Sequence, residues 1–203
     1  MIIAPHPTET YLLHLPKTLR LQISVAQFEM LAIANRELSL ERNHQGELIV
    51  NPPTSWETGE RNSKIIQQLA NWSDRNRTGK TFDSSTGFTL PNGAIRSPDA
   101  SWISLQRWSQ LTPQQKSTFP QICPDFVVEL RSPSDNLSPL QAKMLEYRDN
   151  GARLGWLIDP QSRQVSIYQP ETEVMVLDNP DSLAGEAVLP GFVLDLNVVW
   201  DVS

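Results

Sequence analysis

The chain has one cysteine, Cys123, in 203 residues. That excludes an intramolecular disulfide and suits a reducing compartment such as the cytoplasm. Histidines are also few: His6, His14 and His44 are scattered through the first quarter without metal-ligand spacing. Basic charge is not in excess. The formal net charge is −6, which argues against tight non-specific binding of nucleic acid over a basic face, while leaving room for a local basic patch. No apolar run approaches the roughly 18 residues that a membrane-spanning helix needs. The N-terminal stretch lacks a basic n-region and is interrupted by Pro5, Pro7 and Pro16, so it reads as an arm and not as a signal peptide. There is no glycine-rich phosphate loop, no internal repeat and no low-complexity tract; Gly87 and Gly93 read as turn residues.

What is present is an ordinary globular composition, 39% apolar and 20% charged, in a chain long enough for a sizeable core. Sixteen prolines fall mostly between the periodic segments and predict firm turns. The organisation that follows is an N-terminal arm over residues 1–23 and a single domain over 24–203. Ser24 and Gln27 form a capping box ahead of a helix to Asn35. Residues 47–51 read as a strand ended by Pro52 and Pro53. A polar lead-in over 54–60 precedes a helix over 61–77, with Ile65, Ile66, Leu69 and Trp72 as its apolar stripe and Gly79 as its stop. Residues 81–90 read as one strand, Pro91-Asn92-Gly93 as a turn, and 99–103 as the returning strand. A polar stretch over 106–119 leads to a strand over 126–130. Ser138-Pro139-Leu140-Gln141 reads as a helix start with serine as cap, and Asn150-Gly151 as its end. The strand over 154–158 lies one βαβ crossover away. Further strands are expected over 165–168, 173–177 and 192–196. The class is α/β or α+β, a mixed central sheet flanked by helices.

Three charges stand where apolar residues belong. Glu129 is the one charge in Phe126-Val127-Val128-Glu129-Leu130, a run typical of a strand buried on both faces. Lys143 lies three residues from Leu140 and four from Tyr147, on or beside the packing face of its helix. Asp99 follows Pro98 at the start of a strand. Taken singly, each has a plainer reading: an edge-strand glutamate in solvent, a lysine snorkelling its stem, a turn-capping aspartate. Taken together, two carboxylates near strand ends suit a hard divalent cation, and a lysine beside them suits an anionic transition state. Phosphodiester hydrolysis needs these parts. A carboxylate pair also serves glycoside hydrolysis, but Lys143 would have no task there. Cys123 reads as a small buried hydrophobe, and Trp102, Trp108, Trp156 and Trp200 as packing residues.

The chain also resembles a known family. Ser97-Pro98-Asp99, Val127-Val128-Glu129-Leu130-Arg131-Ser132-Pro133-Ser134-Asp135 and Leu140-Gln141-Ala142-Lys143-Met144 are similar to the PD-(D/E)XK nuclease superfamily, and within it to the Uma-type restriction endonucleases. Gly46-Glu47-Leu48-Ile49-Val50, Pro52-Pro53-Thr54, Glu57-Thr58-Gly59 and the blocks from Glu146 to Pro160 extend the resemblance over about residues 24 to 196. It implies an α/β, restriction-endonuclease-like fold and a metal-dependent DNA endonuclease. Asp99, Glu129 and Lys143 would be catalytic. Asp99, Glu129 and the Leu130 carbonyl would hold Mg²⁺ or Mn²⁺. DNA would be the partner, with a homodimer possible and no membrane association. One departure stands out: the lysine expected two residues after the glutamate is Arg131, a poor base because arginine stays protonated, though able to contact phosphate. Lys143, on the following helix, takes the lysine's place. An additional acidic residue is expected near the second helix, with Glu57 ranked ahead of Glu60 and Glu41. A nuclease fold that has lost activity and serves binding or assembly is the alternative, and the acidic net charge favours it.

Overall fold

The protein is described by a computed structural model over residues 19–185 and 188–201. Most of the expected arm, with His6 and His14, lies outside the described residues. The helix α1 (Val25–Ala34) follows Ser24, and both halves of the expected capping box with Gln27 are made. Next come β1 (Ser39–Arg42) and β2 (Leu48–Asn51), an antiparallel pair. Only β2 is legible in sequence, because Ser-Leu-Glu-Arg carries no apolar alternation. The helix α2 (Trp56–Asn76) begins ahead of the expected Arg61, since the Ser55 hydroxyl accepts the Thr58 N–H and caps it there. The polar lead-in is therefore helical. Arg77 ends this helix in a left-handed conformation, and the expected stop, Gly79, instead opens the next strand. A Cβ on Gly79 would lie 2.2 Å from the Trp102 ring and 2.3 Å from the Ile103 carbonyl oxygen, so only glycine allows that approach.

The expected strand over 81–90 is two strands in different sheets, β3 (Gly79–Asp83) and β4 (Phe88–Thr89), parted by a turn in which Asp83 accepts the Ser85 N–H. After the Pro91-Asn92-Gly93 turn come β5 (Ile95–Arg96) and β6 (Ala100–Ser104), then two short helices, α3 (Leu105–Ser109) and α4 (Pro113–Lys116). The strand β7 (Phe126–Leu130) leads into α5 (Leu137–Asp149) and β8 (Leu154–Asp159). The cap of α5 is Asn136 and not the expected Ser138, and no side chain makes the cap bond. The chain continues through β9 (Gln164–Tyr168), β10 (Met175–Asp178), β11 (Ser182–Ala184), β12 (Val193–Asp195) and α6 (Asn197–Trp200).

The main sheet has the order β10-β9-β8-β7-β6-β3. Only β7 and β8 run parallel, as a right-length crossover through α5 allows, and the sheet is mixed. Every residue of β7 is buried, which fits its central place. One face packs Phe126, Val128 and Trp156 against Ile65, Leu69 and Trp72 of α2. The other packs Val127 and Leu157 against Met144 and Tyr147 of α5. A smaller sheet, β2-β1-β5-β4, lies beside this core. Among the described residues no helix is long and apolar enough to cross a membrane.

Candidate active site

Alternation along β7 sends Phe126, Val128 and Leu130 to the α2 face and Val127 with Glu129 to the α5 face. Glu129 is 4% exposed. On α5, Lys143 stands between the packing residues Leu140 and Met144, three residues before Glu146 and four before Tyr147. Its Nζ lies 2.8 Å from Glu129 Oε1, and the Tyr147 hydroxyl donates to the same oxygen at 3.0 Å. Asp99, in the lead into β6, accepts the Leu130 N–H at 2.8 Å and an Asn62 Nδ2 hydrogen at 3.0 Å. Asp99 is thereby tied to the residue that follows Glu129. The three expected residues, from three separate elements, thus stand together.

A fourth member arrives from the small sheet. Glu41 of β1 is 3% exposed and its Oε1 lies 2.8 Å from Lys143 Nζ. It takes the place for which Glu57 was ranked first. Because α2 starts early, Glu57 falls in its first turn on the solvent side, where it pairs with Arg61 at 3.3 Å. Arg131 is also elsewhere engaged: its guanidinium meets Asp159 at 2.8 Å and donates to the Asp135 carbonyl, and it makes no ion pair with Asp99 or Glu129.

The electrostatics follow from this crowding. Burial pushes the Glu129 carboxyl up; Lys143 opposes, Asp99 and Glu41 reinforce, and the outcome is about 8. Loss of water also raises Asp99, although it keeps part of its surface exposed, and the Leu130 amide, Lys143 and Asn62 counter this only in part. Burial works against the Lys143 ammonium, but Glu129 and Glu41 outweigh it and hold its pKa above lysine's ordinary value. Glu41 goes the other way: burial would raise it, yet Lys143, Arg96 and the Ser97 amide together lower it. The cluster therefore carries more carboxylate than it can neutralise, and the surplus sits on Asp99 and Glu129.

That surplus suits a cation. Among the described residues no three acidic, histidine or cysteine side chains converge on one ion-sized point. The two carboxylates, Asp99 and Glu129, offer oxygen donors, as hard cations prefer. The Asn62 carbonyl oxygen beside Asp99 is buried without a hydrogen-bond partner. An orphan acceptor costs about 1–3 kcal/mol, and a water on a bound ion would answer it. Asn62 and Tyr147 were not expected to serve the site. Asn62 gives one readable signal, a polar residue on the Thr58, Ile65, Leu69, Trp72 stripe of α2; Glu41 is legible in the sequence only as a rival to Glu57.

A mixed sheet flanked by helices, with acidic residues at the ends of two neighbouring central strands and a lysine facing them, defines the restriction-endonuclease-like class. The model of the Uma2 family, described as "Putative restriction endonuclease", matches residues 25–197. The chain belongs to that family. It is similar in fold to a solved structure described as a putative nuclease belonging to DUF820 from Anabaena variabilis, with TM-score 0.67 and 22% identity over 79% of this chain and 89% of that one. A DrdV–DNA complex matches with TM-score 0.35 and 14% identity over 72% of this chain and 14% of that one; a likeness of that size carries no argument. No curated protein matches the chain.

Proposed function

We propose that the chain is a metal-dependent DNA endonuclease that hydrolyses phosphodiester bonds. One observation carries the reading: Lys143 Nζ lies 2.8 Å from Glu129, and Asp99 accepts the N–H of the next residue, Leu130, at 2.8 Å. Asp99, Glu129 and the Leu130 carbonyl would hold Mg²⁺ or Mn²⁺, whose chemistry is to polarise a phosphoryl oxygen and lower the pKa of a bound water. Lys143 supplies fixed positive charge. Held between Glu129 and Glu41, it orients water and offsets charge developing on the phosphate. Asn62 and the Leu130 amide hold the Asp99 carboxylate in one orientation. Tyr147 does the same for Glu129. Arg131, held by Asp159, is left at most a phosphate contact at the site's rim.

The deciding experiment is cleavage of supercoiled plasmid DNA with millimolar Mg²⁺ or Mn²⁺. Nicking or linearisation is expected, abolished by chelator and by Asp99→Ala or Glu129→Ala. Cleavage that persists in the doubly substituted protein would overturn the reading. The net charge of −6 favours a second reading, a nuclease fold that binds or assembles without cutting. Metal-dependent retention of DNA with no cleavage under any of these conditions would select it. Two copies acting as a pair would place one site on each strand, which light scattering with and without DNA would detect.

A further inference from the structure

A row of charges of alternating sign leads from the candidate site to the surface. Glu129 meets Lys143 at 2.8 Å, and Lys143 meets Glu41 at 2.8 Å. Glu41 Oε2 then meets Arg96 at 3.1 Å, and Arg96 Nε meets Glu146 at 2.6 Å. Glu146 Oε1 ends the row against His44 at 3.1 Å, with Asn92 donating to the same oxygen at 3.1 Å. Arg96, on β5, is 8% exposed.

We propose that Arg96 and Glu146 are positioning residues of the site: Arg96, braced by Glu146, fixes Glu41, and Glu41 fixes the Lys143 ammonium against Glu129. The catalytic consequence rests on the nuclease reading; the geometry does not. A lysine has a four-carbon stem and compact charge, and one carboxylate leaves it several rotamers. Here it has two anchors. The second anchor, Glu41, has no freedom of its own, because Oε1 also accepts the Ser97 N–H at 2.9 Å while Oε2 is taken by Arg96. Lys143 and Glu146 lie three apart and share one face of α5. Arg96 therefore ties down both the residue that holds the lysine and the helix that carries it. Its planar fork serves two carboxylates at once from Nε and Nη1, which an ammonium cannot reproduce. Buried ion pairs are weak evidence for stability; a fully satisfied network instead fixes one arrangement of its members. On this inference the small sheet is part of the site's machinery and not an appendage.

The test uses the whole chain and two readouts. The first is acetylation of Lys143 by acetic anhydride, followed by peptide mass spectrometry with Lys64 and Lys80 as internal references. The second is plasmid cleavage by the same proteins without labelling. In Arg96→Gln, Lys143 should react about tenfold faster relative to the references, the equivalent of one lost charge-assisted hydrogen bond. Cleavage should show the loss in kcat, with KM for DNA within about threefold. Arg96→Lys should fail to restore either property, whereas a role limited to neutralising charge would be rescued by lysine. If Arg96→Gln does not fold, Glu146→Gln, nearer the surface, should give the same change. Unaltered Lys143 reactivity in folded Arg96→Gln or Glu146→Gln, or full rescue by Arg96→Lys, overturns the proposal. A wild type that does not cut DNA removes the nuclease reading, and the labelling then decides this one.

Discussion

Two carboxylates at neighbouring strand ends, Glu129 on β7 and Asp159 on β8, are 4% and 5% exposed, yet their acidities move in opposite directions. Asp159 is lowered despite its burial, because Arg131, the Ser162 hydroxyl and the Gln161 amide all favour its charge. Glu129 is raised to about 8. It shares one lysine with Glu41 and faces Asp99 as well. Asp159 lies nearer the surface and is a satisfied turn cap, whereas Glu129, deeper in the protein, is an under-neutralised acid. Depth and partners together separate the residue that holds the fold from the residue free to take a ligand.

The sharpest way to break this comparison is activity. Glu129→Ala and Lys143→Ala should each lower plasmid cleavage at least ~10²-fold, the lower end for loss of a positioned electrostatic group. Asp159→Asn, folded to the same extent, should keep most of it. A dead Asp159→Asn with active Glu129→Ala would invert the assignment.

Stability against pH should differ in sign between the two. The Glu129 carboxyl has a folded pKa of about 8 against an ordinary 4.5, so the folded state holds its proton more tightly. Its stabilising contribution is complete below about pH 4.5 and is lost as the pH rises through about 8. Asp159 lies below its ordinary 3.8; its contribution is present above that value and is lost only as the pH falls through its lowered folded value. Metal-free melting temperatures should therefore fall from pH 5 to pH 8, and Glu129→Gln should flatten that slope while Asp159→Asn leaves it. A slope unchanged in Glu129→Gln would show that another group titrates there.

Arg131→Ala removes the cation from a carboxylate that has no second one. Denaturant unfolding at neutral pH should show a loss of about 2 kcal/mol, the scale of a charged hydrogen bond, with metal-dependent cleavage retained. The smallest expected effect is that of the metal on folding. At tenfold its Kd, free Mn²⁺ should stabilise the chain by about 1.4 kcal/mol. The resulting rise in melting temperature should vanish in Glu129→Ala and persist in Asp159→Asn.

Local chemistry made much of this molecule legible before any coordinates. The Ser24 capping box, the α2 stripe, the Asn150-Gly151 stop and the apolar run of β7 are each written within a few residues, and each stands where it was read. Glu129 and Lys143 stood out because a charge in an apolar pattern is visible in a window of that size. The misreadings are also local. Ser55 capped α2 earlier than its apolar stripe begins, and residues 81–90 divided between two sheets at the turn that runs from Asp83 to Gly87.

What only the tertiary structure decided is the company each charge keeps. Glu41 lies 88 residues before Glu129 in the chain and 102 before Lys143, within a four-residue strand that no periodicity marks. It reaches them because β1 pairs with β5, Arg42 opposite Ile95, which sets Arg96 and Ser97 beside Glu41. Glu57 was the better guess by sequence distance and failed because a helix start placed it in solvent. Sequence determines which groups must be satisfied, since burial of a charge is costly wherever it occurs. Which partner satisfies each one depends on distances between strands and helices that no short window contains.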